Sequence, residues 1–211
     1  MQQQPRRKIT WLFAAALVAV ATTISFAPAN GGPRERLLYV AVGETARPPI
    51  GWVQFCTERP AECRDERSEP RDVQLNKAVM QELVRVNRYV NEKIKPLTDL
   101  EQYGVIEKWT YPDSGYGDCE DYVLLKRKAL MQLGWPREAL LITVVRDKKG
   151  DGHSVLTVRT DKGEFILDNQ VGDVLAWADT GYRFVKRQSQ ADPNIWIALG
   201  DQRPTPFVAA R

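Results

Sequence analysis

Between Asp72 and Lys95 the apolar residues Leu75, Val79, Leu83, Val86, Val90 and Ile94 recur at steps of three and four. That period lays one stripe along a helix. Pro96 ends it, because the residue before a proline is pushed out of the α region. A second helix is expected from Cys119 to Leu133, with Tyr122, Ala129, Leu130 and Leu133 as its buried stripe. Gly134 suits the position just past its end, with Pro136 beyond. Then the pattern becomes that of strands: Leu140–Val145, His153–Arg159, Glu164–Asp168, Tyr182–Lys186 and Ile195–Leu199. Asp161-Lys162 is a two-residue turn signal between the second and third of these. Helices first and strands afterwards predict an α+β domain with an antiparallel sheet.

The ends read differently. Arg6, Arg7 and Lys8 precede an uncharged run from Ile9 to Phe26, and Ala27-Pro28-Ala29 has the small-x-small form of a signal-peptidase site. Residues 1–29 are therefore expected to be an export leader, an uncleaved inner-membrane anchor being the alternative. Residues 30–36 read as a linker, 37–200 as the domain and 201–211 as a flexible tail. Leu37–Val42 is expected to be a short edge strand, and Gly43–Arg71, rich in Pro, Arg and Glu, to be irregular. Residues 97–117 read as loop with one turn of helix.

The leader changes what the charge means. It holds three of the 30 basic residues and none of the 27 acidic ones, so the remainder carries 27 of each. The formal net charge of +3 belongs to the leader, and nothing points to a nucleic-acid partner. Export also sets the cysteine arithmetic. In an oxidising periplasm Cys56 and Cys63 are expected to close a small loop, the alternative being two separate thiols. Cys119 is then left free.

The chemistry gathers in Gly117-Asp118-Cys119-Glu120-Asp121-Tyr122. With Asp118 as N-cap, its carboxylate accepting from Asp121 N–H or a neighbour, Cys119 heads the helix. The helix dipole and the unpaired amides there favour thiolate. The Cys119 amide is a ready oxyanion donor. His153, the sole histidine of the chain, supplies the base. For the third group, a two-residue Asp161-Lys162 turn pairs Asp168 with Val155, on the same face as His153 and diagonal to it. A slip of one residue would substitute Asn169. A Cys119–His153–Asp168 triad is the reading. Asp118, Glu120 and Asp121 oppose a thiolate by like charge, which leaves two readings: ordinary complementation of the helix dipole, or a hard cation such as Ca²⁺ on these oxygens.

The same residues resemble the bacterial transglutaminase-like cysteine proteinases, the family of the LapG-type adhesin proteases. The resemblance rests on GlyAspCysGluAspTyr (117–122), GlyHisSerValLeuThrVal (152–158) and LeuAspAsn (167–169). GlyTrpValGlnPheCys (51–56) and ArgProAlaGluCys (59–63) support it. It implies a papain-like α+β fold with the nucleophile at the head of a central helix on an antiparallel sheet, and the triad Cys119, His153 and Asp168. It also implies a periplasmic cysteine endopeptidase acting on an exported or surface protein such as a biofilm adhesin. Calcium would lie beside the cysteine, on Asp118, Glu120 and Asp121, and an inner-membrane c-di-GMP receptor would hold the enzyme in check. Two other functions fit the same residues: an acyl transferase joining glutamine to an amine through the same triad, and a binding module that keeps the fold without turnover.

Overall fold

The computed structural model describes residues 38–64 and 68–200. The leader, the linker and the tail lie outside the described residues. In chain order the elements are β1 (Ala41–Ala46), α1 (Ile50–Glu58), α2 (Lys77–Lys93), β2 (Lys95–Pro96), α3 (Asp99–Tyr103), β3 (Tyr116–Gly117) and α4 (Cys119–Gln132). There follow β4 (Leu140–Arg146), β5 (Gly152–Thr160), β6 (Gly163–Leu167), β7 (Leu175–Ala176), β8 (Arg183–Gln188) and β9 (Trp196–Gly200). This is α+β, as the order of patterns predicts. The main sheet runs β1-β9-β8-β4-β5-β6-β7, and each neighbouring pair is antiparallel.

The apolar stripe becomes α2. Asn76 caps it by accepting from Val79 N–H at 3.0 Å. Leu83, Val86, Val90 and Ile94 are buried, while Leu75 lies before the first turn. α4 follows the expected bounds, and Gly134 takes the left-handed φ of +91° just beyond it. Its burial differs from the predicted stripe. Leu133 is the C-cap and 56% exposed, because the helix has ended and its side chain turns outward. The polar Lys126 and Arg127 are instead buried together with Tyr122, Val123, Leu124 and Leu130. α4 is enclosed on most sides, which a single-stripe reading does not anticipate.

Residues 43–71 depart most from expectation. β1 begins later than the predicted edge strand, at Ala41, though it is an edge strand. The stretch expected to be irregular contains α1 and a 3₁₀ turn, Pro60–Cys63. Trp52 and Phe55, one turn apart, enter the core, where Trp52 packs against Phe55, Trp109 and Trp196 with ring centroids 5.6, 6.2 and 6.4 Å away. Gly51 lets Trp109 approach, since a Cβ there would meet the indole at 2.2 Å. The Cys56–Cys63 disulfide closes this segment, with 5.5 Å between the Cα atoms.

The β5–β6 hairpin has the predicted register. Leu156 faces Leu167 and Thr160 faces Gly163 across the Asp161-Lys162 turn. The turn is fastened to the approach to α2, where Leu75 N–H donates to Asp161 Oδ1 at 2.7 Å and Lys162 Nζ donates to Leu75 O at 2.8 Å. Alternation splits the hairpin between two cores. Leu156, Val158 and Leu167 join the helices, whereas Val155 and Ile166 join Val145, Trp177, Tyr182 and Phe184.

Candidate active site

Cys119 heads α4 as its first residue, a half-buried free thiol. Asp118 is the N-cap in extended conformation, but its side chain does not cap the helix. It turns away, and its Oδ2 accepts from Asp99 N–H at 3.3 Å. The expected contact with Asp121 N–H is therefore absent, because the α3 backbone offers a donor that the local sequence does not disclose. At Cys119 the backbone amide of Ser154 in β5 favours the thiolate, in opposition to burial. α4 packs against β5, so the helix that carries Cys119 lies on the strand that carries His153.

His153 and Asp168 are both buried, and His153 Nε2 lies 2.8 Å from Asp168 Oδ1. Asp168 follows the last residue of β6, so the predicted register does bring it to the imidazole. Asn169 does not take that position. Tyr182 donates to Asp168 Oδ2 at 2.5 Å, Gln170 N–H donates to Oδ1 at 2.9 Å, and Asn91 Nδ2 holds the Asp168 carbonyl at 2.8 Å. Burial works against the Asp168 charge, yet the bonds to His153 and to the Tyr182 hydroxyl keep the carboxyl below its ordinary value. An ionised, doubly anchored carboxylate fixes the imidazole ring and its tautomer. Tyr182 also meets the imidazole edge-on, with centroids 5.7 Å apart. Sequence reasoning missed Tyr182, which looks like an ordinary core aromatic at a strand start.

The acidic residues divide in an unforeseen way. Asp118 and Glu120 group with Asp99, and one ligand atom from each lies within 4.8 Å of the others. Asp121 is not brought into that group. Its Oδ1 accepts from Thr110 N–H at 2.9 Å and its side chain fills the space beside Gly117, where a Cβ would meet Asp121 Oδ2 at 2.6 Å. Asp99 takes the third place from 19 residues upstream of Asp118, and its Oδ2 accepts from Lys108 N–H.

Crowded carboxylates in a buried place resist ionisation. Burial, then the Asp118 charge, pushes Glu120 up to about 9. The same two causes raise Asp99 to about 6. Burial also raises Asp121 to about 8, with Asp118 and Asp99 adding to it. Cys119 donates its thiol hydrogen to Glu120 Oε2 at 3.1 Å. Burial first and Glu120 second hold the thiol well above its ordinary value. Asp99 Oδ1 and Asp118 Oδ1 are buried with no hydrogen-bond partner among the described residues. Unsatisfied buried carboxylate oxygens within such a group suit a hard divalent cation, which takes oxygen ligands.

A free thiol at a helix N-terminus, and an imidazole anchored by a buried carboxylate on the hairpin packed against that helix, are the groups that cysteine-dependent acyl transfer uses. The chain belongs to the bacterial transglutaminase-like cysteine proteinases, whose family model matches residues 42–204. It is a cysteine peptidase. No curated protein matches it significantly. Among solved structures it is similar to Legionella pneumophila LapG. The calcium-bound form is 24% identical with a TM-score of 0.49, the match covering 63% of this chain and 75% of that one. Another LapG structure is 27% identical with a TM-score of 0.49, over 58% and 71%. The EGTA-treated form is 23% identical with a TM-score of 0.47, over 60% and 69%.

Proposed function

We propose that the protein is a periplasmic cysteine endopeptidase that cleaves an exported or surface protein, such as an adhesin, through Cys119, His153 and Asp168. The observation that carries the triad is the 2.8 Å bond between His153 Nε2 and Asp168 Oδ1, on a hairpin whose strand β5 packs against the helix that carries Cys119. In this reading Asp168 keeps the hydrogen on Nε2, so His153 Nδ1 takes the thiol proton. The sulfur attacks the scissile carbonyl, and the Cys119 amide at the helix start stabilises the oxyanion. His153 then protonates the departing amine. Water, deprotonated by the same nitrogen, hydrolyses the thioester and regenerates the thiol.

The Cys56–Cys63 bond supports an oxidising compartment, to which residues 1–29 would direct the chain. Asp99, Asp118 and Glu120 are the residues that would hold Ca²⁺. The bound ion would supply the positive charge that lets carboxylates next to the nucleophile stay ionised.

The test compares secreted and surface proteins of wild-type cells with those of cells carrying Cys119→Ala or His153→Ala. A substrate that accumulates uncut in both variants, while both remain folded, supports the reading. Retained cleavage in either variant overturns it.

A further inference from the structure

The imidazole nitrogen that the proposed chemistry needs is already occupied. Gln170 Nε2 lies 3.5 Å from His153 Nδ1. In the neutral imidazole that the proposed base requires, the hydrogen sits on Nε2, which faces Asp168 Oδ1, and Nδ1 presents a lone pair. Only the NH₂ end of an amide is attractive to that lone pair, which orients the Gln170 side chain. Meanwhile the Cys119 hydrogen goes to Glu120 Oε2. Thiol and imidazole each have a partner other than the other.

We infer that Gln170 is a positioning residue that caps the basic nitrogen of His153 in the unengaged enzyme and gives it up when substrate enters. This rests on the Cys119–His153–Asp168 reading. Three features fit a releasable cap. The backbone of Gln170 is held by its N–H bond to Asp168 Oδ1 at 2.9 Å. The residue is otherwise exposed, so its side chain can swing into solvent without disturbing that anchor. The capping bond is at the long limit for a hydrogen bond and costs little to break. The thiol proton can move to Nδ1 only after the amide leaves, since one lone pair accepts one hydrogen.

The experiment follows alkylation of Cys119 by iodoacetamide under non-reducing conditions, with Cys56 and Cys63 disulfide-bonded and so silent. Gln170→Ala and the shorter Gln170→Asn, which cannot reach, are each prepared with and without His153→Ala. Both Gln170 variants are expected to react about 2- to 5-fold faster than the parent, the worth of one weak neutral hydrogen bond. In the His153→Ala background neither should change the rate. An unchanged or slower rate with His153 present overturns the inference. So does an equal acceleration without His153, which would mean that the side chain only shields the sulfur. If His153→Ala leaves both alkylation and substrate cleavage as in the parent, the triad itself fails. If it silences cleavage while the Gln170 variants alkylate like the parent, only the role of Gln170 does.

Discussion

Tyr182 and His153 grip opposite oxygens of one carboxylate: the hydroxyl reaches Asp168 Oδ2 at 2.5 Å and Nε2 reaches Oδ1 at 2.8 Å. Tyr182→Phe removes one grip and leaves a buried charged oxygen short of a donor. It should lower stability by about 1.5–3 kcal/mol, the range for hydrogen bonds to charged groups. Cleavage should slow about 10-fold as the imidazole loses its fixed orientation. Thermal melts and kcat on the same preparation check both, and an unaltered kcat would reduce Tyr182 to a structural role.

Asp99 stands in the acidic group although it is remote in sequence. Calcium added to metal-free protein should raise the melting temperature, by about 2.7 kcal/mol of stability at a hundredfold excess over the dissociation constant. Asp99→Asn, Asp118→Asn and Glu120→Gln should each weaken that response, while Asp121→Asn should keep it. Equal responses in Asp99→Asn and the parent would contradict the assignment, as would loss of the response in Asp121→Asn.

Lys126 is buried in α4, with no hydrogen-bond partner for Nζ among the described residues. Burial lowers it from its ordinary 10.5 to about 7, against the pull of Asp168. Between those values the folded state binds fewer protons than the unfolded one, so this group makes stability rise with pH across that interval. Its full cost is felt below pH 7. Lys126→Met, similar in size and uncharged, should be more stable than the parent there. Its advantage should shrink as the pH approaches 10.5. Melting curves of both proteins across that range decide it, and a constant gap would show that Lys126 does not titrate in this way.

Much of the site was legible because strand pairing obeys a strict count. A turn at Asp161-Lys162 sets every partner along β5 and β6, and with it the meeting of His153 and Asp168. The stripe of α2 and the limits of α4 were legible for the analogous reason of helical period. What escaped lacks periodicity. α1 was hidden because Pro48 and Pro49 precede it and proline-rich sequence suggests loop, though prolines ahead of a helix are compatible with one. Asp99 joins Asp118 and Glu120 through tertiary structure alone. Lys126 belongs to a residue type that is rarely buried unless paired, so only its enclosure by neighbouring elements reveals that it is inside.

Cys119 and the His153–Asp168 pair are carried on two separate pieces, the sulfur on α4 and the imidazole and carboxylate on the β5–β6 hairpin. The two pieces meet through the shared core, with Tyr122 and Leu124 of α4 and Leu156 of β5 in one cluster. A core substitution there would shift one piece against the other while keeping Cys119, His153 and Asp168. On the proposed triad, catalytic rate is thereby tied to the volume of residues that never touch a substrate.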